Sequence, residues 1–220
     1  MTAKVSYPSP LHSALYLCLH TGSIVARKPC ADALGTSTAT VASHLIQLEQ
    51  ANLIYRLPPP EVGGKRVVRA QNKYCLADPA LRNAVLPKGE EIFTHPDEMA
   101  LISETTVFRH LCAHYYRYTP EIVCWRDLIT QKEVDIIVRS PKCTFPVEVK
   151  YQDNRRLGEK SGLVAFRGLE PVEKAYWVTR QDKDLDVLRF EGLDTDLLKV
   201  PAHILRCLLG QAERSLWISD

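Results

Sequence analysis

The clearest pattern in this 220-residue sequence lies in Lys132-Glu133-Val134-Asp135-Ile136-Ile137-Val138 and, after a short turn, Pro146-Val147-Glu148-Val149-Lys150. Side chains along a β-strand point alternately to opposite faces of the sheet. Glu148 and Lys150 therefore share one face, and Asp135 points away from its two apolar neighbours. Because the turn between the stretches is short, we expect them to form an antiparallel pair. The pattern thus predicts that Asp135 stands beside Glu148.

Two carboxylates and an ammonium on a half-buried sheet require that each charge be paired. Asp135 and Glu148 offer hard oxygen atoms of the kind that bind Mg²⁺ or Mn²⁺, so a divalent cation is one predicted partner. Lys150 would then hold an attacking water or stabilise the charge that builds on a scissile phosphate. The alternative is a buried network of ion pairs that contains no metal.

A helix predicted over residues 99–116 adds a third carboxylate. Glu104 lies, by three- and four-residue spacing, on the same stripe as four apolar side chains, those of Leu101, Phe108, Leu111 and Tyr115. An inward-facing carboxylate is uncommon and needs a partner, for which the cation and Lys150 are the candidates. The predicted metal ligands are therefore Asp135, Glu148 and Glu104, and with Lys150 they form the predicted catalytic set.

Other runs in the second half predict a sheet covered by helices. Besides the two quoted stretches, strand-like runs occur at residues 122–125, 175–179 and 187–190. A closing helix is expected at 202–209. Several strands with flanking helices indicate an α/β (α+β) fold with a central mixed sheet, which we assign to residues 98–220.

The first half, residues 1–86, has the order of a winged helix-turn-helix. Apolar spacing predicts three helices, at 13–26, at 29–34 and after a cap at Thr36 or Ser37. Two strand-like runs follow around a turn rich in proline and glycine, at 53–57 and 67–76. The next segment, residues 87–97, is polar with Pro and Gly breakers, which predicts a linker between the two halves.

Polar and basic side chains in both halves are candidates for contact with DNA. The face of the third helix opposite its apolar stripe carries Ser37, Thr40 and His44. Basic residues on or near the wing, expected to meet phosphates, are Lys65, Arg66, Arg69 and Lys73. A second basic run follows the Lys150 strand, at Arg155 and Arg156. The helix face lacks Arg and Asn, which favours non-specific contact over sequence reading and leaves a protein-contact role open.

Composition and motifs exclude several other classes. The chain is 45% hydrophobic and 25% charged with a net charge of +2, as is ordinary for a globular protein. No GxxxxGK[ST] loop occurs in the sequence, so ATP cannot bind by that route. The apolar stretch at 14–19 is too short for a signal core or a membrane span. Seven cysteines without a CxxC pair predict free thiols in the cytoplasm.

The second half resembles the PD-(D/E)xK nuclease superfamily, whose pattern is a helix Glu, a strand Asp and then (D/E)xK on the next strand. Glu104, Asp135 and Glu148-Val149-Lys150 match those positions, whereas Val134 replaces the proline of the name. The resemblance implies a restriction-endonuclease-like core that hydrolyses DNA with Mg²⁺ or Mn²⁺.

Nearly the whole chain also resembles the C-terminal region of a group of prokaryotic AAA-type ATPases. The shared phrases run in one order from Asn52-Leu53-Ile54-Tyr55-Arg56-Leu57-Pro58-Pro59 to Glu148-Val149-Lys150-Tyr151. The resemblance implies an ATPase partner, in cis or in trans. Two functions are therefore expected. One is a metal-dependent DNA nuclease, and the other is an inactive DNA- or protein-binding platform that an ATPase drives.

Overall fold

The computed structural model describes residues 9–62, 65–66, 71–86, 89–116, 120–127, 129–140, 144–151, 161–170, 172, 174–189 and 196–218. Over these ranges the chain is a mixed α/β structure, as predicted. The α-helices are α1 (Pro10–Leu19), α2 (Arg27–Ala33), α3 (Thr38–Gln50), α4 (Pro79–Val85), α5 (Pro96–Tyr115), α6 (Gly162–Arg167) and α7 (Ala202–Ile218). The strands are β1 (Ser23–Ile24), β2 (Ile54–Leu57), β3 (Glu61–Val62), β4 (Lys65–Arg66), β5 (Lys73–Leu76), β6 (Glu121–Arg126), β7 (Glu133–Arg139), β8 (Thr144–Val149), β9 (Ala175–Thr179), β10 (Asp186–Leu188) and β11 (Leu197–Pro201).

The N-terminal part consists of helices α1 to α4, a three-stranded antiparallel sheet with the strand order β1-β5-β2, and the separate β3–β4 hairpin. Leu17 of α1 packs in one cluster with Val41 and Leu45 of α3, and each of these side chains is at most 2% exposed. The stripe of Val41, Leu45 and Leu48, which helical spacing in the sequence predicts to be buried, is therefore confirmed. Ser37 caps this helix, and its Oγ accepts a hydrogen bond from the Thr40 backbone N–H at 3.0 Å.

The single helix predicted over residues 13–26 is wrong. α1 ends at Leu19, and Ser23–Ile24 instead pair with β5. The break lies at Gly22, whose φ of +71° is in the left-handed region that glycine adopts without a steric penalty. The Gly22 N–H donates to the Tyr74 carbonyl at 3.2 Å, which fixes the turn against β5.

A six-stranded mixed sheet forms the second half, with the order β10-β11-β9-β8-β7-β6. Strands β7 and β8 are antiparallel, as predicted, and Ile136 pairs with Val147. Strand β8 runs parallel to β9, which in turn runs parallel to β11, a strand that the sequence pattern missed. Helices α5 and α7 cover one face of this sheet, and α6 packs on the other. The predicted closing helix, α7, extends to Ile218 rather than ending at 209.

The hydrophobic core on the α5 face includes residues from both halves of the chain. Leu57 of β2 and Cys75 of β5 are each 1% exposed and belong to the same cluster as Phe108 of α5. The segment predicted as a linker contains a 3-10 helix, Glu90–Thr94, whose Ile92 is buried. Among the described residues, each helix is too short or too polar to cross a lipid bilayer.

Candidate functional site

Asp135 occupies the point where strands β7 and β8 stop pairing. Beyond the Ile136–Val147 pair, its Oδ2 accepts a hydrogen bond from the Val149 backbone N–H at 2.9 Å. The carboxylate is buried, and burial alone would raise its pKa. The charges of Lys73 and Lys150, together with the Val149 N–H, outweigh burial and hold the pKa of Asp135 below its ordinary value. Asp135 is therefore a carboxylate at neutral pH.

Lys73 of β5 enters this site from the N-terminal half. Its Nζ lies 2.6 Å from Glu104 Oε1 and 3.4 Å from Asp135 Oδ1, and the residue is 5% exposed. Burial would lower the pKa of Lys73, but Glu104 and Asp135 raise it well above its ordinary value. The side chain is therefore a charged ammonium that bridges two carboxylates. The expectation that Lys73 meets phosphate near the wing is wrong, because its charge points into the protein.

Glu104 faces the site from α5 and packs against the turn at Gly22. A Cβ at position 22 would lie 3.2 Å from Glu104 Oε1, so the glycine allows the close approach of the carboxylate. Burial raises the pKa of Glu104 to about 7, although the Lys73 charge opposes that shift. The inward orientation predicted from the helix stripe is thus confirmed. The positively charged group that contacts Glu104 is Lys73, whereas the sequence suggested a metal cation or Lys150.

Glu148 and Lys150 form the other side of the cluster. Lys150 Nζ lies 3.1 Å from Glu148 Oε1, while the buried Glu148 Oε2 has no hydrogen-bond partner in the described part of the chain. Burial raises the pKa of Glu148. For Lys150, burial would lower the pKa, but Asp135 and Glu148 raise it. The shared face that strand alternation predicts for Glu148 and Lys150 corresponds to this contact.

The arrangement differs from a metal-binding site whose carboxylate oxygens are free to coordinate a cation. An ammonium lies between Glu104 and Asp135, and both oxygens of Asp135 have protein partners. The residues that the structure describes include no group of three acidic, imidazole or thiol side chains placed to hold one metal ion. With Lys73 in this position the side chains therefore do not fit a divalent cation, and the Mg²⁺ or Mn²⁺ site stays a prediction.

A polar pocket of about 250 Å³ adjoins the cluster between the two halves. Lys73 forms part of its wall, as do residues of β1, β6 and β7. The lining residues are Gly22, Ile24, Lys73, Cys124, Trp125, Arg126, Glu133 and Val134. The pocket thus extends from Lys73 to Arg126, which is exposed.

The predicted DNA-contact residues have different surroundings. Ser37 is exposed and Thr40 is partly exposed at the start of α3. The predicted exposure of His44 is wrong, since the residue is 7% exposed and its Nδ1 lies 2.9 Å from the Ser13 hydroxyl. Lys65 and Arg66 form β4, which pairs with β3 in a short hairpin. Three candidates lie outside the described residues, namely Arg69, Arg155 and Arg156.

The raised pKa of Glu104 predicts a pH-dependent stability. The folded state binds the Glu104 proton more tightly than the unfolded state, in which the pKa is near the ordinary 4.5. This contribution is fully present below pH 4.5 and is lost as the pH rises through about 7. Relative to Glu104→Gln, the parent should therefore lose about 3 kcal/mol of unfolding free energy over this window. Urea unfolding of both proteins between pH 4.5 and 8 measures the difference, and a constant difference would contradict the assignment.

Comparison with known proteins gives two family matches of different extent. Residues 101–194 match a domain of unknown function, DUF4143, and residues 12–91 match another, DUF8612. The first is a domain found in C-terminal regions of AAA-type ATPase proteins. A search of curated proteins found no match. Neither family model covers half of the chain, and both describe domains whose function is not known.

Proposed function

We propose that this chain is a DNA-binding platform that works with an AAA-type ATPase, in cis or in trans, and that it holds DNA without cutting it. The proposal assigns a winged helix to the N-terminal half and a PD-(D/E)xK nuclease-like fold to the second half. The observation that carries it is the Lys73 ammonium, which lies 2.6 Å from Glu104 and 3.4 Å from Asp135. These are two of the carboxylates that a nuclease of this type would use for its cation.

The order of elements supports both fold assignments. Helices α1 to α3, followed by β2, the β3–β4 hairpin and β5, occur in the order expected of a winged helix-turn-helix. In the second half, α5 contributes Glu104, while β7 and β8 contribute Asp135 and Glu148. This is the helix-strand-strand order of the acidic residues in the nuclease pattern.

DNA contact is proposed through the surface that α3 and the β3–β4 hairpin present. Ser37 and Gln47 of the α3 region are exposed, and Lys65 and Arg66 lie in the hairpin. Basic residues on a wing supply phosphate contacts, which position a protein on DNA without reading its sequence. We therefore expect non-specific binding that weakens with salt.

The second candidate is the metal-dependent nuclease. It is favoured by the 3.1 Å contact between Lys150 and Glu148 and by the buried, unpartnered Glu148 Oε2. In the nuclease pattern the lysine two residues after the acidic residue is a catalytic group, and Lys150 has that spacing. Cleavage would, however, require Lys73 to leave the position that it has here.

One experiment separates the two candidates. The chain is incubated with plasmid and linear DNA in Mg²⁺ or Mn²⁺, and binding is measured in parallel by fluorescence anisotropy of a labelled duplex. We expect binding without cleavage. The Lys65→Ala/Arg66→Ala variant should bind about three- to tenfold more weakly and with a smaller salt dependence, because two phosphate contacts are lost.

The matched control removes the same amount of charge from the far edge of the six-stranded sheet. Lys183 and Arg189 are exposed there, and Lys183→Ala/Arg189→Ala should leave DNA affinity almost unchanged. Metal-dependent cleavage by the parent that disappears in Asp135→Ala and in Lys150→Ala would overturn the platform in favour of the nuclease. Failure of the parent to bind any DNA would contradict both candidates.

A further inference from the structure

The Lys73 side chain reaches the candidate site from a different part of the chain than the acidic residues do. It starts on β5, the central strand of the N-terminal sheet, and its ammonium contacts Glu104 of α5 and Asp135 of β7. The Lys73 side chain is 7% exposed and that of Asp135 is 6% exposed. A lysine placed this deeply between two carboxylates supplies a positive charge that water does not replace.

The balance of charges depends on this one residue. Glu104, Asp135 and Glu148 supply three carboxylates, and Lys73 and Lys150 supply two ammonium groups. Without Lys73, three carboxylates would share the single positive charge of Lys150. A buried excess of negative charge is unfavourable unless a cation or protons neutralise it. Removal of the lysine therefore leaves a site that must take up either a proton, as the raised pKa of Glu104 allows, or another cation at the same place.

Space and oxygen ligands for such a cation are present. The pocket of about 250 Å³ already has Lys73 in its wall, so shortening this side chain would open the acidic cluster to solvent. Glu148 Oε2 is buried without a hydrogen-bond partner among the described residues, and Glu104 and Asp135 would each lose their lysine partner. Carboxylate oxygens are the ligands that Mg²⁺, Mn²⁺ and the lanthanides prefer.

We infer that Lys73 is a built-in substitute for a divalent cation, and that removing its charge converts the cluster into a cation-binding site. The inference rests on the proposed function in that it explains why a nuclease-like site would bind DNA without cutting it. The positive charge is covalently attached and comes from the N-terminal half, so the second half needs no metal ion to neutralise its acidic residues. The parent protein and a variant without this charge should therefore respond differently to the same cation.

Cation binding itself, rather than cleavage, provides the test. Tb³⁺ is added to the parent and to Lys73→Ala, with excitation of tryptophan, because Trp125 lines the pocket and can transfer energy to a bound lanthanide. We expect strong sensitised emission in Lys73→Ala, displaced by Mn²⁺, and little in the parent. At a Mn²⁺ concentration about 100 times the dissociation constant, the melting temperature of Lys73→Ala should rise by roughly 5–10 °C.

Two further variants control for charge and for ligands. Lys73→Arg keeps the positive charge and should resemble the parent, whereas Lys73→Ala/Asp135→Asn removes a ligand and should lose most of the emission. If Lys73→Ala does not fold alone, recovery of its circular dichroism on addition of Mn²⁺ supports the inference, and failure to recover contradicts it. Equal Tb³⁺ emission from parent and Lys73→Ala would also overturn it.

The outcome is independent of the DNA experiment. A parent that binds DNA without cutting it, together with a Lys73→Ala variant that takes up no cation, refutes only the role of Lys73. A parent that cuts DNA in Mn²⁺ refutes the platform. A parent that binds Tb³⁺ as strongly as the variant refutes the inference that Lys73 takes the place of a cation.

Discussion

Gly162→Ala should lower the melting temperature of this protein by roughly 6–12 °C, corresponding to a loss of about 3 kcal/mol. Gly162 is the first residue of α6, and a Cβ built there would lie 1.8 Å from the carbonyl oxygen of Glu133 in β7. The contact is with backbone on a buried strand, so no side-chain rotation relieves it. Helix α6 would have to move by roughly 1 Å, which separates Leu163 and Phe166 from the core that they share with β7.

Gly210→Ala is the matched control for this substitution. Gly210 lies in the exposed part of α7, and a Cβ there would meet no atom within 4 Å. Because alanine is the better helix former, Gly210→Ala should stabilise the protein by about 0.5–1 kcal/mol. Differential scanning calorimetry measures both variants. A melting temperature for Gly162→Ala within 1–2 °C of the parent, a change of at most about 1 kcal/mol, would show that α6 does not pack this closely on β7.

The sequence predicted the parts of the candidate site that depend on local periodicity. Alternation along β8 was sufficient to place Glu148 and Lys150 on one face, because a strand has a period of two. The helical stripe likewise oriented Glu104 inward. These predictions need no knowledge of how distant segments pack. The prediction that Asp135 points away from both apolar neighbours is wrong, since the pairing of β6 with β7 shifts register there and Val134 and Ile136 pack in clusters on opposite faces of the sheet.

Lys73 was missed because its role depends on a contact with residues far away in the sequence. All four residues of β5 are buried, so the strand has no polar alternation that would separate an inward lysine from an outward one. A lysine near a hairpin is more often solvated than buried, and the sequence offers no sign that β5 faces α5. His44 shows the same difficulty, since it was predicted to be exposed but is buried with its Nδ1 2.9 Å from the Ser13 hydroxyl.

The short elements were missed for a related reason. Strand β1 has two residues and α6 has six, and segments of this length carry too few positions for a period to be recognised. Gly22 and Gly162 permit the close approaches that these elements need, yet a glycine in a sequence does not show which atom will lie against it. The tertiary contact alone distinguishes them from a glycine such as Gly210.

The contacts around the cluster join the two halves of the chain along an extended interface. The Cys124 backbone N–H donates to the Pro58 carbonyl at 3.1 Å, next to the shared core that contains Leu57 and Phe108. Arg82 of α4 is 4% exposed and pairs with Glu98 of α5. Lys73 is therefore part of a packed junction, and a change at this residue should affect the stability of both halves together.

Lys73→Met should reduce the free energy of unfolding by about 3–5 kcal/mol, because removal of one partner from a buried ion pair leaves the remaining charges without compensation. Glu104 and Asp135 would both lose the Lys73 ammonium, now 2.6 and 3.4 Å away. Methionine keeps the length and apolar character of the side chain, so the loss reports on charge rather than on a cavity. Urea unfolding followed by tryptophan fluorescence measures it in metal-free buffer.

The triple variant Lys73→Met/Glu104→Gln/Asp135→Asn isolates the electrostatic origin of this loss. It removes the three charges together while the amide oxygen introduced at position 135 can still accept the Val149 N–H, so at least half of the lost stability should return. Lys28→Met is the surface control, because Lys28 pairs with Asp32 at 3.3 Å but its side chain is 81% exposed. That change should cost at most about 1 kcal/mol. If Lys73→Met is no more destabilised than Lys28→Met, the ammonium does not bridge the two carboxylates in solution, and the reason for expecting DNA binding without cleavage is removed with it.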